Sequence, residues 1–334
     1  MKKLYPLKFK PRWMPKAWGG ESWDLCGFED EASVVSEGFL ADNDLADILE
    51  TYLGDLVGDP VFSFYGCHFP LLLKRLDIRD RLSVQVHPDD TVAAERFESY
   101  GKTEFWYVTE TGPEARIWMG FREDTDACTL YAACKAGTAR ELLCEFIPRP
   151  GDCFFLPAGT VHAAGGGVKI TEIQQASDIT FRLSDWGREH DPATRREMHL
   201  DEALDCIDYR KYDEPACHRY RPQGVEVVAR CPQFVITSLS LGDPARPARV
   251  RPEAFRSCLT YHCLEGSATV GVGQPGAASE GSGHYPLAAG EVLLIPAACD
   301  EILLTPGSGG CHLLQTHIPE PPKDDHYDGP EPEA

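Results

Sequence analysis

Three segments of the chain carry side chains that can bind a divalent metal ion. In LSVQVHPDD, Gln85 and His87 are two residues apart on a predicted strand, so both side chains leave the same face of the sheet. Glu104 opens a second predicted strand in GKTEFWYV, and His162 ends the segment GDCFFLPAGTVH at a strand–turn junction. Two imidazoles, a carboxylate and an amide oxygen can therefore converge from three neighbouring strands.

This donor set suits zinc or another borderline divalent ion. Imidazole nitrogen and carboxylate oxygen both bind Zn²⁺ at about 2.0 to 2.2 Å. Only Glu104 is anionic, so a bound ion keeps net positive charge and can polarise a substrate oxygen at an open position. Taken singly, His87 or His162 is more often a core or turn histidine, and it is the set as a whole that favours a metal site.

The elements that must position these residues are predicted to be short strands. Thirty glycines and 26 prolines separate short apolar segments, a pattern typical of an all-β sandwich or barrel with minor helices. One clear helix is predicted over residues 43–57, with Asp42 or Asn43 as its N-cap, and shorter helices over 89–99 and 194–207. The candidate strands are 82–86, 104–110, 115–121, 152–158, 168–175, 178–183, 234–241 and 291–297.

A glycine–proline pattern occurs twice and predicts a repeated β-unit. Gly151 to His162 fits G-x5-P-x-G-x2-H, the spacing of the second cupin motif, and Gly290 to Glu301 repeats it with the second glycine and the histidine replaced. The chain thus resembles a bicupin, with two cupin-like jelly-roll β-barrels of which the second lacks a metal motif. We expect a catalytic domain with the N-terminal segment and helices at residues 1–215, a degenerate cupin-like β domain at 216–320 and an acidic disordered tail at 321–334.

Charge and composition exclude several classes of partner. The formal net charge of -21 repels nucleic acid and anionic membranes, and no apolar run approaches the roughly 20 residues of a spanning helix. The start of the chain has no apolar block typical of a signal peptide, so a cytoplasmic protein is expected. Thirteen cysteines without a C-x-x-C pair indicate reduced thiols, not disulfides or a thiolate zinc site.

Several strings resemble the type I mannose-6-phosphate isomerase family in its short bacterial form. They are WMPKAWGGESW, LLLKRLDIRDRLSVQVHPDD, GKTEFWYV, GDCFFLPAGTVHA and SDITFRLSDWGR, and the resemblance covers most of residues 5–215. It implies reversible isomerisation of mannose 6-phosphate and fructose 6-phosphate through a cis-enediol, with one zinc ion per chain and a hexose phosphate as the binding partner. Monomer and homodimer both remain open.

The resemblance also implies roles for individual residues. The metal ligands are Gln85, His87, Glu104 and His162, and the family's conserved serine and two site lysines fall on Ser83, Lys74 and Lys102. Arg182 is expected to stabilise negative charge on the O1 and O2 oxygens of the substrate. The proton-transfer base is either Glu172 or Lys102, and both lysines are also candidates for holding the phosphate.

Other interpretations remain open at this point. A different metal cupin, acting on another sugar phosphate or as an oxygenase, and a non-catalytic sugar-phosphate sensor are the alternatives. An iron oxygenase more usually has a histidine where Gln85 stands, and a bare sensor does not need the proton-transfer groups Glu172 and Lys102. Arg182, between Asp178 and Asp185, is alternatively part of a surface ion pair.

Overall fold

The computed structural model describes residues 2–273 and 283–321, so most of the tail predicted at 321–334 lies outside the described residues. Seven short α-helices are present in these ranges: α1 Leu45–Tyr52, α2 Gly54–Val57, α3 Asp59–Tyr65, α4 Asp90–Phe97, α5 Ala127–Ala136, α6 Leu200–Leu204 and α7 Glu214–Cys217. Single turns of 3-10 helix occur at Glu29–Glu31, Ala139–Leu142, Arg188–His190 and Pro252–Phe255. In the described part of the chain, no helix has the length and apolar character required to cross a membrane.

Strands dominate the structure. In chain order they are β1 Leu7–Lys8, β2 Arg12–Lys16, β3 Gly19–Leu25, β4 Leu71–Ile78, β5 Val84–Val86, β6 Glu104–Thr111, β7 Arg116–Phe121, β8 Leu143–Phe146, β9 Cys153–Leu156, β10 His162–Gly165, β11 Val168–Gln175, β12 Phe181–Ser184, β13 His218–Arg219, β14 Val225–Arg230, β15 Val235–Leu241, β16 Ala248–Val250, β17 Leu259–Val272, β18 Gly283–Ala288, β19 Val292–Ile295 and β20 Ile302–His317. The prediction of a mostly β fold with minor helices is confirmed.

Two antiparallel sheets enclose the first core. A seven-stranded sheet has the order β13-β9-β6-β11-β4-β3-β2, and a five-stranded sheet has the order β12-β5-β10-β7-β8. Buried side chains of both sheets pack into one cluster, among them Trp106 and Ile170 from the first sheet and Ile117 and Met119 from the second. The period-2 alternation of strands turns these residues to the same interior, where burial of apolar surface stabilises the pair of sheets.

A third sheet repeats the strand order of the first. Its order is β1-β19-β17-β20-β15-β14, with β16 paired to β20 and β18 paired to β17. The short strands β9 and β19 each take the second place in their sheet and follow a glycine with positive φ, Gly151 at +95° and Gly290 at +84°. Those are the first glycines of the two sequence patterns, so the repeated segments occupy corresponding places.

The helix predicted over residues 43–57 is two helices. Asp44, not Asp42 or Asn43, caps α1, because its side chain accepts a hydrogen bond from the Asp47 N–H at 2.9 Å. The Asn43 amide donates instead to the preceding turn, at the Leu40 carbonyl. Leu53 has a φ of +52°, which interrupts the helical backbone before α2 begins. A helical spacing of apolar residues does not reveal such a break.

The helix predicted over residues 194–207 is confined to α6. The backbone N–H of His199 donates to the Arg182 carbonyl at 3.0 Å, and Nδ1 of His199 accepts from the Arg182 N–H at 3.3 Å. His199, the residue before α6, is thus bound to β12, whereas an isolated turn earlier in the segment is closed by the Arg195 N–H and the Asp191 carbonyl at 2.8 Å. This arrangement brings Arg196 to the edge of the site described next.

Candidate active site

The predicted metal ligands come from both sheets around the first core. Gln85 lies on β5 and pairs directly with His162, which begins β10, and His87 follows the last residue of β5. Glu104 begins β6 in the opposite sheet. His87, Glu104 and His162 are buried, and their possible ligand atoms all lie within 4.8 Å of one another. The structure thus brings together the two imidazoles and the carboxylate chosen from sequence.

Backbone contacts orient both imidazoles for metal binding. Nδ1 of His87 is 2.7 Å from the Ile179 carbonyl, and Nδ1 of His162 is 2.8 Å from the Thr160 carbonyl. A carbonyl can only accept, so each Nδ1 carries the proton and each Nε2 keeps its lone pair for a ligand. Burial lowers the pKa of both imidazoles, and neutral histidine is the form that binds metal.

The separations between donor atoms fit a tetrahedral ion. Nε2 of His87 is 3.3 Å from Glu104 Oε1, and Nε2 of His162 is 3.6 Å from Glu104 Oε2. Two ligands of a tetrahedral zinc ion lie about 3.4 Å apart when each is about 2.1 Å from the metal. In the described part of the chain, the buried atoms His87 Nε2 and Glu104 Oε2 have no hydrogen-bond partner, as expected of atoms reserved for an ion.

The side-chain amide of Gln85 must rotate before its oxygen can join the metal-ligand set. Its amide nitrogen faces His162 Nε2 at 3.3 Å, while its amide oxygen accepts a hydrogen bond from Ser83 Oγ at 3.0 Å. Turning the amide by 180° brings the oxygen to the ligand position and leaves the nitrogen beside the Ser83 hydroxyl, which can also accept. The buried Ser83 therefore contacts Gln85 and is not among the described residues that line the adjoining cavity.

A cavity of about 380 Å³ adjoins the metal-ligand set. Gln85 and Glu104 form part of its wall, whereas the hairpin of β2 and β3 forms another part. It also contains the predicted residues Lys74, Lys102, Glu172 and Arg182. The described residues of the hairpin that line the cavity are Met14, Lys16, Trp18, Glu21 and Trp23.

One row of residues crosses the wall of this cavity on four neighbouring strands. Trp23, Lys74, Glu172 and Trp106 are paired in that order on β3, β4, β11 and β6. Trp106 Nε1 donates to Glu172 Oε2 at 2.7 Å, and Lys74 Nζ lies 3.6 Å from Glu172 Oε1. Burial and the charge of Glu104 raise the pKa of Glu172 to about 7, although Lys74 acts in the opposite direction. A carboxyl group with that pKa can accept and return a proton near neutral pH.

Lys74 and Lys102 are both buried next to carboxylates. Burial alone would lower the pKa of Lys74, but the charges of Glu172, Glu21 and Glu104 outweigh it, so the pKa is raised and the amine stays protonated. Lys102 Nζ lies 3.0 Å from Glu104 Oε1. Each lysine thus compensates a buried carboxylate beside the metal-ligand set.

Arg182 is not part of the surface ion pair that sequence alone allows. Asp185 is fully buried and binds Arg188 and Arg196, and the described residues place no carboxylate within 4.0 Å of the Arg182 guanidinium. Arg182 pairs with Gln85 across β12 and β5, and its buried Nε lacks a hydrogen-bond partner in the described part. Burial and the charge of Arg196 lower the pKa of Arg182. The guanidinium is therefore available to a ligand in the cavity.

Sequence reasoning missed Trp106, Glu21 and Arg196 in this site. Trp106 could have been found, because it lies two residues after Glu104 on the same strand and must share its face. Glu21 and Arg196 have no such signal. Glu21 reaches the site through the hairpin, and Arg196 through the segment before α6.

The second β-unit has no corresponding cluster in the described residues. Glu301, which stands where the repeated pattern has His162, is partly exposed and forms ion pairs with Arg249 and Arg251 at 2.5 and 3.1 Å. A carboxylate whose charge is compensated by two guanidinium groups is poorly suited to bind a metal ion.

Fold and site together define a class of protein, the mostly β proteins that hold a divalent metal ion beside a polar cavity. Residues 16–104 match the family model of the phosphomannose isomerase type I catalytic domain. The chain is 30% identical to the mannose-6-phosphate isomerase ManA of Bacillus subtilis, over 94% of this chain and 99% of that protein. The crystal structure of the Bacillus subtilis mannose 6-phosphate isomerase superposes with a TM-score of 0.76 at 25% identity, covering 94% of this chain and all of that one. A mannose 6-phosphate isomerase solved in its zinc-bound form has the same fold, with a TM-score of 0.70 at 15% identity over 95% of this chain and all of that one.

The chain therefore belongs to the type I mannose-6-phosphate isomerase family.

Proposed function

We propose that this protein interconverts mannose 6-phosphate and fructose 6-phosphate through a cis-enediol. The observation that carries the proposal is the presence of two groups at one cavity, which the metal-ligand set reaches through Gln85 and Glu104. One is the buried His87–Glu104–His162 set, and the other is Glu172, whose pKa is raised to about 7. Moving a proton between C1 and C2 of a sugar requires a base of that strength and positive charge at the two oxygens.

The metal is one zinc ion per chain. His87, Glu104 and His162 would hold it through Nε2 atoms and carboxylate oxygens, with the Gln85 amide oxygen as a fourth ligand after rotation. When bound, the ion supplies Lewis-acid polarisation of the substrate's carbonyl and hydroxyl oxygens. After that rotation the Ser83 hydroxyl can accept a hydrogen bond from the Gln85 amide nitrogen.

Glu172 is the base of the reaction in preference to Lys102. Its carboxylate faces the cavity, and the hydrogen bond from the Trp106 indole fixes its orientation. The same carboxylate can therefore take the proton from one carbon and return it to the next. Lys102 is engaged with Glu104 at 3.0 Å and keeps that carboxylate compensated before the metal binds. Lys74 does the same for Glu172.

Arg182 stabilises the charge that develops on the substrate oxygens. It is next to Gln85 across the strand pair, and the described residues offer its guanidinium no carboxylate partner. Removing a preorganised donor of this kind typically costs about 2.7 to 4 kcal/mol in the barrier.

The repeated strand order supports two cupin-like barrels, the catalytic one within residues 1–215 and a degenerate one within 216–320. In this assignment the N-terminal strand β1 belongs to the second unit, where it pairs with β19. The two halves of the long strands β17 and β20 correspond to the strands β6, β7, β10 and β11 of the first unit.

A coupled assay for fructose 6-phosphate formed from mannose 6-phosphate tests the proposal. It is run on protein as purified, after chelation and after zinc is restored, and we expect turnover to be lost on chelation and recovered with zinc. A His162→Ala variant should lack both bound zinc and turnover, whereas Glu301→Gln, at the corresponding place in the second unit, should keep both. Absence of turnover in zinc-loaded protein would overturn the isomerase assignment and favour a sugar-phosphate sensor or another metal cupin.

A further inference from the structure

The cavity beside the metal-ligand set is lined by five cationic side chains in the described residues. Three of them are lysines, each within 4.0 Å of a glutamate that also lines the cavity: Lys16–Glu21 at 2.9 Å, Lys74–Glu172 at 3.6 Å and Lys102–Glu104 at 3.0 Å. The other two are Arg182 and Arg196. They lie on β12 and in the segment between the turn Arg188–His190 and α6, and both guanidinium groups line the cavity.

Arg196 is held from one side only. Its Nε donates to Asp185 Oδ2 at 2.9 Å and its Nη2 donates to Oδ1 at 2.6 Å, and Asp185 is fully buried. This two-point contact fixes the plane of the guanidinium. Nη1 of Arg196 makes no hydrogen bond with any described residue, so its N–H groups remain available to a ligand in the cavity.

The guanidinium groups of Arg182 and Arg196 are only partly compensated by carboxylates, since Asp178, which also lines the cavity, lies within 4.0 Å of neither among the described ion pairs. Asp185 is shared between Arg196 and Arg188, and Arg182 has no carboxylate within 4.0 Å among the described residues. The proximity of Arg196 contributes to the lowered pKa of Arg182, which means that the two guanidinium charges repel one another. An anion bound by Arg196 would reduce that repulsion.

We propose that Arg196 binds the phosphate group of the sugar phosphate, an inference that rests on the proposed function. A fixed guanidinium edge matches the oxygens of a phosphate better than an ammonium group does. The phosphate and the reacting carbons lie at opposite ends of a hexose phosphate, so the phosphate-binding residue must be displaced from the metal ligands. Arg196 satisfies this, because its hydrogen bonds go to Asp185 and the described residues show no contact between it and the ligand set, whereas Lys102 is in contact with Glu104.

The test compares two arginines that share one carboxylate. Arg196→Gln removes the residue that faces the cavity, and Arg188→Gln removes the other partner of Asp185, which is not among the described residues lining the cavity. For Arg196→Gln we expect the KM for mannose 6-phosphate and the inhibition constant of inorganic phosphate each to rise about ten- to a hundredfold. The kcat should change by less than about threefold, because a contact remote from the reacting carbons binds ground state and transition state alike. Arg196→Lys keeps the charge but not the fixed guanidinium edge. Its KM and its inhibition constant for phosphate should therefore lie between those of the native protein and those of Arg196→Gln.

Two results would overturn the inference. One is an equal rise in both constants for Arg188→Gln, which would make Arg196 a support for Asp185 alone. The other is an unchanged inhibition constant of phosphate in Arg196→Gln. Calorimetric titration with inorganic phosphate requires no turnover and separates this inference from the proposed function. Phosphate binding that depends on Arg196 in a protein that does not isomerise mannose 6-phosphate would refute the isomerase and leave the phosphate site standing. If Arg196→Gln does not fold, the same comparison with Arg196→Lys decides.

Discussion

Glu172 is the residue whose proposed chemistry depends most directly on its burial. Its carboxylate is held between the Trp106 indole and the Lys74 ammonium, inside the sheet that also carries Glu104. The two carboxylates have different environments, because Glu104 faces the imidazoles and Glu172 faces the cavity. Neighbouring acids with separate environments divide their roles, one as ligand and one as base.

Glu172→Gln should lower kcat by about a hundred- to ten-thousandfold. Glu172 must be ionised to accept a proton, and its pKa is raised from 4.5 to about 7, so kcat/KM of the native protein should fall as the pH drops through this range. A bound cation lowers that pKa, so the acidic limb of the profile should lie at or below about pH 7. The pH dependence of kcat/KM measures it.

Glu172→Asp serves as the control for this prediction, because it keeps the carboxylate and shortens its reach. Glu172→Asp should keep the acidic limb of the pH profile at a reduced rate, whereas Glu172→Gln should lose both the acidic limb and most of the rate. Unchanged kcat in Glu172→Gln with native zinc content would exclude Glu172 as the base and return Lys102 to that role.

At the scale of single residues, the sequence predicted the two imidazoles and the carboxylate that the fold brings together. The spacing of Gln85 and His87 on one strand and the position of His162 after its glycine–proline pattern were sufficient to select the ligand set that the fold brings together. The base could not be chosen, because the pKa of Glu172 depends on groups on other strands, including Lys74 and Glu104. Arg196 was missed because its segment resembles a helix until its contacts with β12 are known.

The loop before β6 is the element that places Lys102 and Glu104. The carboxylate of Asp90, at the start of α4, accepts from the Gly101 N–H at 2.9 Å and from the Gln175 amide at 2.8 Å. Gln175 in turn accepts from the Thr103 N–H at 2.9 Å. These hydrogen bonds fix the loop on both sides of Lys102. The other oxygen of Asp90 accepts a hydrogen bond at 2.7 Å from Gln233, which precedes β15.

Gln175→Ala should destabilise the protein by about 1 to 3 kcal/mol and lower kcat. The substitution leaves the Thr103 N–H without its partner in a buried place, and an unpaired buried group costs this amount. Loss of the fastening also lets Lys102 move away from Glu104. Urea unfolding and steady-state kinetics measure the two effects.

Gln223→Ala is the matched control, because Gln223 is exposed and its amide contacts only the Arg221 carbonyl among the described partners. It should leave both stability and kcat unchanged. Equal loss of stability in both variants, or full activity in Gln175→Ala, would mean that the fastening does not position the loop.

Elements with a strong local pattern were predictable, and those set by partners were not. The strands β5 and β6, which carry Gln85 and Glu104, lie where strands were expected at 82–86 and 104–110, whereas β10, which begins at His162, was not predicted. The two-residue strand β1 has no local signal, since it exists only because β19 offers it an edge. The break at Leu53 and the uncoiled stretch before α6 are likewise decided by contacts outside the segment.

The described residues form three sheets, two of which face one another across the site. His162 begins β10 of the five-stranded sheet and His87 directly follows β5 of the same sheet, whereas Glu104 begins β6 of the seven-stranded sheet. A metal ion held by all three would therefore join the two sheets, and its binding would stabilise the folded state over the unfolded state.

Zinc should raise the midpoint of thermal unfolding of the chelated protein. At free zinc a hundred times its dissociation constant the gain is about 2.7 kcal/mol. Calorimetric or fluorescence-monitored unfolding with and without zinc measures it. The gain should vanish in His162→Ala and persist in Glu301→Gln, whose ion pairs lie in the other unit. A gain of equal size in His162→Ala would place the stabilising ion elsewhere.

The burial of the two imidazoles also governs how fast the metal exchanges. His87 and His162 are 2% and 1% exposed, and the cavity lined by Gln85 and Glu104 adjoins them, so we expect solvent to reach the ion through the opening of that cavity. A chelator as large as the substrate must enter by the same opening, so demetallation should be slow and first order in protein. Bound sugar phosphate, by filling that opening, should slow it further, and the protein would then retain its ion longest when it is working.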